Sequence, residues 1–157
     1  MSVQLPPFQQ FFERHRDEVY RFALAMVGRN HADDVFQETF LAALRGYPAL
    51  TDDTSLRAWI FTIARHKAID EFRGGARRAV ASGDVPDVVA GHAVATPEPE
   101  LWQDVRGLPP KQRAAVVHRY VHDLAYDEIG VLLDCSAEAA RRSVHEGIRK
   151  LRVTWQT

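Results

Sequence analysis

The sequence predicts an all-α fold made of two small helical domains joined by a flexible linker. Hydrophobic residues recur every three to four positions along almost the whole chain, and no stretch alternates in the manner of a strand. A single segment of about two dozen residues, rich in Gly, Pro and Ala and without any helical period, separates the periodic parts. With 157 residues and a formal net charge of -1, the chain holds one medium domain or two small ones and lacks the basicity of a non-specific DNA coat. Any affinity for nucleic acid must be local. The lone cysteine, Cys135, excludes an internal disulfide and fits a reducing interior. No run approaches the eighteen or so apolar residues that span a bilayer, and the N-terminus lacks the basic start and apolar core of a secretory signal. The expectation is a soluble cytoplasmic protein without membrane insertion.

The first element is an amphipathic stripe through Phe8, Phe11, Phe12, Val19, Phe22, Ala23, Met26 and Val27, stopped by Gly28. A second stripe runs through Ala32, Val35, Phe36, Thr39, Phe40, Ala43 and Leu44, and Gly46 and Pro48 end it. After the polar loop Thr51 to Ser55 comes a helix with Leu56, Trp59, Ile60 and Ile63 on one side and Phe61, Ile69 and Phe72 on others. A helix apolar on several faces lies centrally among its neighbours, and Gly74-Gly75 is expected to end this one. The domain boundaries read from this pattern are 1–75, a linker over 76–97, and 98–157. Fully extended, two dozen linker residues reach roughly 80 Å at ~3.3 Å each. The halves are expected to fold separately.

Beyond the linker, Leu101, Val105 and Leu108 precede Pro109-Pro110, whose fixed φ suits the first turn of a helix carrying Val116, Val117, Tyr120 and Val121. Leu124 to Arg152 then spaces a short helix, a tight turn and a longer basic helix as DNA-reading helix-turn-helix units do. Ile129, Leu132 and Leu133 face the core from the first helix, and Val144, Ile148 and Leu151 from the second. In the turn, Asp134 tolerates a left-handed backbone, and Ser136 is a good N-cap. Arg141, Arg142, Arg149, Lys150 and Arg152 line the second helix, where they can meet phosphates or base edges. On its own, this pattern also fits an antiparallel helix pair with a solvated basic face.

Four ordered segments narrow the reading. ADDVFQETFLAAL at Ala32 to Leu44, LRAWIFTIARHKAIDEFR at Leu56 to Arg73, LPPKQRAAVVHRYVHDLAYDEIGVLL at Leu108 to Leu133, and the final basic helix together resemble the two conserved domains of extracytoplasmic-function sigma factors of the sigma-70 family. The resemblance implies a dissociable initiation subunit of bacterial RNA polymerase. It implies a region 2-like domain with a three-helix core, which docks on the clamp of the largest polymerase subunit and opens the minus-ten element. It also implies a region 4-like domain that reads the minus-thirty-five element beside the polymerase beta flap. Core polymerase and promoter DNA are the implied partners, an anti-sigma factor is a possible one, and no cofactor is implied.

Asp33, Asp34, Gln37 and Glu38 lie opposite the apolar stripe of the second helix, and the resemblance makes this ridge the clamp contact. For the minus-ten element it implicates Tyr47, Asp52, Asp53 and Ser55 in the loop, then Arg57, Arg65, His66, Lys67 and Arg73 on the following helix. His66 stands where the family has Asn, and Trp59 shares the core face, so its role reads as packing. For the minus-thirty-five element the implied residues are Ser136, Glu138, Arg141, Arg142, Ser143, His145 and Arg149. This helix departs from the family run Gly-Thr-Val-Lys-Ser-Arg. Glu138 and Glu146 place negative charge where phosphate or a family Arg is expected, and Gly147 replaces the usual Ala at up to ~1 kcal/mol.

Other constellations carry little chemistry. His118 and His122 are four apart, but no third ligand has matching spacing, so no metal site is expected and a solvated pair is the simpler reading. Without a phosphate loop, nucleophile elbow or paired carboxylates, an enzyme is not expected. Two alternatives stay open: a stand-alone helix-turn-helix regulator, and a sigma-like interaction protein that sequesters polymerase or an anti-sigma factor.

Overall fold

The computed structural model describes residues 4–51, 55–82 and 100–156, and every regular element among them is helical. Helix α1 (Phe8–Val27) starts where Pro7 O accepts the amides of Gln10 and Phe11. It ends at Gly28, whose φ of 80° is a conformation L side chains resist. The Gly28 amide closes the last turn onto Leu24 O while its own carbonyl opens α2 (Arg29–Gly46). One glycine thus folds α2 back against α1.

A 3₁₀ turn over Tyr47–Ala49 follows. Tyr47 is buried: its hydroxyl donates to Pro6 O and its ring meets Phe8, Phe11 and Trp59. Helix α3 (Leu56–Ser82) lays Ile60, Ala64 and Ala68 against α1 and α2 and turns Phe61 toward the C-terminal half. The expectation that Gly74-Gly75 ends this helix is corrected, because α3 continues to Ser82, inside the stretch read as linker. Each glycine costs a helix ~1 kcal/mol relative to Ala, and the following Ala76, Arg77, Arg78, Ala79 and Ala81 are good helix formers that offset it.

The C-terminal half comprises α4 (Glu100–Arg106), α5 (Pro110–Tyr120), α6 (Tyr126–Leu132) and α7 (Ala137–Gln156). Pro110 occupies the first turn of α5, where its missing N–H costs nothing. Gly147 on α7 has a packing reason: a Cβ there would lie 2.7 Å from Val116 Cγ2 on α5, so glycine lets the two helices approach. Trp155 Nε1 donates to Asp104 Oδ2 at 3.0 Å and ties the end of α7 to α4.

The halves are not apart. Their buried side chains form one continuous apolar cluster in which α1 and α3 meet α4, α5 and α6. At this seam the Phe22 ring stacks on His118 at 4.9 Å, and Phe61 meets both His118 and His122. Arg113, 3% exposed, donates to Met26 O across the seam and to Arg106 O and Leu108 O within its own half. The carbonyls near the ends of α1 and α4 are natural acceptors for a cation. The sequence signals no such seam, since its residues belong to stripes that read as two separate cores.

Candidate nucleic-acid interface

The helix-turn-helix is built by a few local contacts. Asp134 takes φ 55° in the turn, as its side chain permits, and Cys135 N donates to Gly130 O at 2.8 Å. A Cβ on Gly130 would sit 2.6 Å from Cys135 O, so only glycine lets α6 lie this close to the turn. Ser136 Oγ accepts the Ala139 amide at 3.0 Å and caps α7.

From that start the 100° step per residue decides which α7 side chains share a face. Glu138, Arg141, Arg142, His145 and Arg149 fall on one exposed stripe, while Ala140, Val144, Gly147 and Leu151 face the core. Arg152, one of the basic residues that the sequence put on this helix though not in the set the resemblance implied, extends the stripe. Ser143 points to a different side and is half-buried, and Ser136 is spent on the cap. Four arginines on one face suit a polyanion. Tyr120, Arg142, His145, Glu146, Ile148, Arg149 and Arg152 line a groove of about 570 Å³ beside the stripe.

Glu146 borders the stripe on the groove it lines with Arg142 and Arg149, and it has a partner on α5. Its Oε2 accepts from Gln112 Nε2 at 3.2 Å, and Lys150 Nζ donates to Gln112 Oε1 at 3.1 Å, so the carboxylate is turned toward α5 and flanked by a cation. At the upper end of the stripe, the guanidinium groups of Arg119 and Arg141 lie over the Tyr126 ring, 4.6 and 5.1 Å from its centroid. Arg119 Nη1 also donates to Leu124 O at 2.9 Å.

The residues named for the minus-ten element do not share one surface. Tyr47 is buried, its hydroxyl donating to Pro6 O. Asp52 and Asp53 lie outside the described residues, and Ser55 is exposed at the start of α3. His66 and Arg73, seven residues apart, share the exposed face of α3. Arg65 and Lys67 are half-buried to either side of it. Arg57 lies near the buried side and donates to Glu18 Oε1 at 3.0 Å and to His122 O at 3.2 Å. Trp59 is half-buried against Phe11 and Tyr47, a packing role as the sequence indicated.

On α2, Asp33, Asp34, Gln37 and Glu38 are all exposed. Leu41 and Leu44, 47% and 52% exposed, continue the ridge, so the assignment of Leu44 to the buried stripe is corrected. An acidic ridge with two bare leucines suits a protein partner better than DNA.

The reading of His118 and His122 as a solvated pair is also corrected: both are buried at the seam, with their Nδ1 atoms 3.2 Å apart. His122 Nε2 is 3.2 Å from Glu18 O, which can only accept, so the proton sits on Nε2 and His122 Nδ1 is bare. His118 Nδ1–H donates to it, and His118 Nε2 is left a buried acceptor without a partner. Burial foremost, then the neighbouring His122, Arg65 and Arg57, pulls His118 down to about 3. Burial likewise takes His122 to about 4, opposed by the Glu18 carbonyl and carboxylate. Among the described residues no third ligand joins the pair.

Two family descriptions match this chain, Sigma-70 region 2 over residues 11–78 and Sigma-70, region 4 over residues 100–151. The RNA polymerase sigma factor CarQ of Myxococcus xanthus is 34% identical over 152 residues, covering 92% of this chain and 87% of CarQ. The ECF RNA polymerase sigma factor SigM of Bacillus subtilis is 30% identical and covers 86% of each chain. The ECF sigma factor SigE of Mycolicibacterium smegmatis is 29% identical over 96% of this chain, which spans 62% of SigE. Among solved structures, the sigma factor RpoE in complex with the anti-sigma factor NepR from Bartonella quintana shares the fold, with a TM-score of 0.77, 20% identity, and coverage of 96% of this chain and 97% of that one. CnrH in complex with the cytosolic domain of CnrY gives a TM-score of 0.72 at 23% identity, over 95% and 87%.

Proposed function

This chain belongs to the sigma-70 family as an extracytoplasmic-function sigma factor, and from that premise we propose how its surfaces divide the work of transcription initiation. The α7 stripe enters the major groove of the minus-thirty-five element, with Arg141, Arg142 and Arg149 on phosphates and base edges and Arg152 on the backbone. The α2 ridge of Asp33, Asp34, Gln37 and Glu38, widened by Leu41 and Leu44, docks on the polymerase clamp. His66 and Arg73 face the opened minus-ten strand, with the loop before α3 holding a displaced base. The observation that carries this reading is the single exposed face of α7 that collects four arginines on the second helix of a helix-turn-helix.

The protein acts with core polymerase and promoter DNA, with no catalytic group of its own, and an anti-sigma partner is part of the reading. No helix among the described residues is long and apolar enough to cross a membrane. The sequestering alternative drew its motive from the altered recognition helix, and the four arginines that α7 still collects on one exposed face weigh against it. Gel filtration of the chain with core polymerase tests the assignment. Co-elution as a one-to-one holoenzyme is expected, and independent elution at micromolar concentration would refute it.

A further inference from the structure

We infer that the cleft between the N-terminal segment, α1 and the start of α3 is a binding site for a small phosphate monoester of nucleotide size, distinct from the arginine stripe of α7 and the exposed face of α3. The cleft encloses about 580 Å³. That volume falls within the ~300–1,000 Å³ usual for sites that take a small organic ligand, and charged, amide and apolar side chains share its lining as they do in such sites.

Part of the lining is a row on α1. Gln10, Arg14 and Glu18 are spaced four apart and follow one another along a single face of the helix. At that spacing Arg14 would ordinarily pair with Glu18, but Glu18 Oε1 accepts instead from Arg57 Nη2 of α3 at 3.0 Å. Arg14 is exposed and makes no ion pair among the described residues. The charges of Arg57 and Glu18 cancel. Burial foremost, helped by Arg14 and Arg57 and opposed by Glu18, holds His15 below its ordinary value and so neutral near pH 7. One uncompensated guanidinium, that of Arg14, is left at the cleft.

Two side chains of the lining also keep unused nitrogens. His15 is 7% exposed, its ring centroid 5.1 Å from that of Phe11, and its Nδ1 lies 3.5 Å from Glu18 Oε2 without a hydrogen bond. Arg57 Nε is likewise buried without a partner. Buried polar atoms are nearly always paired, so two unpaired nitrogens on side chains that line one cleft mark a place where a ligand completes the set. A guanidinium beside a carboxamide suits the oxygens of a phosphate, and the Arg57–Glu18 bond shows that an oxyanion is already accepted here. Inorganic phosphate would leave most of the volume unfilled. An organic body carrying the phosphate would cover Leu5, Pro6 and Leu56, the apolar part of the lining.

Calorimetric titration of the full chain with uridine 5′-monophosphate tests the site, with uridine and inorganic phosphate as its two parts. The monophosphate should bind one-to-one and at least about ten-fold more tightly than either part. Arg14→Ala, at an exposed position, should weaken it about ten-fold, the scale of one charge-assisted hydrogen bond, and leave uridine unchanged. Glu18→Gln keeps the shape, removes the carboxylate that competes for Arg57, and should tighten the monophosphate about three-fold. No binding at millimolar monophosphate, an affinity indifferent to Arg14→Ala, or a folded Glu18→Gln chain that binds more weakly would each overturn the site. A single-stranded thymidine oligonucleotide that binds at least about ten-fold more tightly than the monophosphate, with the same dependence on Arg14, would give the cleft to the displaced promoter strand and overturn the small ligand.

Discussion

Gly130 and Gly147 show how much of this fold turns on single missing side chains. At Gly147 the added Cβ of alanine would meet Val116, a β-branched residue with little rotamer freedom, 2.7 Å away. Overpacking of this kind costs about 1–3 kcal/mol, more than the ~1 kcal/mol that alanine returns in helix propensity. At Gly130 the neighbour is the Cys135 carbonyl, which cannot swing aside. Gly147→Ala should therefore lower the urea midpoint modestly, and Gly130→Ala should lower it more. Equal or raised midpoints would show that the α5–α7 and α6–turn approaches are looser than described. At this scale the sequence was legible wherever the cause was local: the left-handed Asp134, the Ser136 cap and the Gly28 break are each set by residues within one turn. Glu146 was not, because its partner Gln112 is 34 positions away.

Among the elements, α2 and α7 present the proposed interfaces on faces that helical spacing already defined. Asp34→Arg combined with Glu38→Arg should abolish association with core polymerase and leave far-ultraviolet circular dichroism unchanged, because both positions are exposed. Retained affinity would remove α2 from the clamp. On α7, Arg142→Ala and Arg149→Ala should each reduce the log-log salt slope of duplex binding by about 0.9 for every phosphate left unneutralised. Glu146→Arg should leave that slope nearly unchanged and loosen the α5–α7 packing, since the carboxylate is held by Gln112. A slope steepened by one full phosphate would set Glu146 against the duplex. The extension of α3 to Ser82 was illegible because paired glycines read as a stop, whereas a helix already anchored on α1 and α2 tolerates them.

Across the whole molecule, the seam of the two halves is the feature the sequence concealed. Period and spacing report which face of a helix is apolar, but not which of two apolar bodies it meets. His118 and His122 therefore read as solvated, while in the fold they pack between Phe22 and Phe61, His118 stacked on Phe22 and His122 tilted against Phe61. Their burial gives stability a pH dependence with a definite sign. Both are neutral in the folded chain, with values near 3 and 4, whereas the unfolded chain protonates them near 6.5. The unfolded state thus binds more protons below about pH 6.5, and the seam's contribution, complete above that value, is lost as pH falls toward 4 and then 3. The groups facing the pair are Glu18 and Arg21 from α1 and Arg57 and Arg65 from α3. Urea melts between pH 7 and 5 should lose stability with a slope approaching about 1.4 kcal/mol per pH unit for each histidine, and His118→Phe should remove one share. A pH-independent midpoint would mean the pair is hydrated.

The central claim is that this chain makes core RNA polymerase recognise and open promoters. The most direct test is permanganate footprinting of unpaired thymines on a genomic promoter library, with core polymerase alone, with the parent chain, and with Asp34→Arg/Glu38→Arg. The account predicts reactive thymines at minus-ten positions of a defined promoter subset only with the parent chain. Polymerase and the parent chain bound together on DNA, with no thymine becoming reactive on any template, would contradict it.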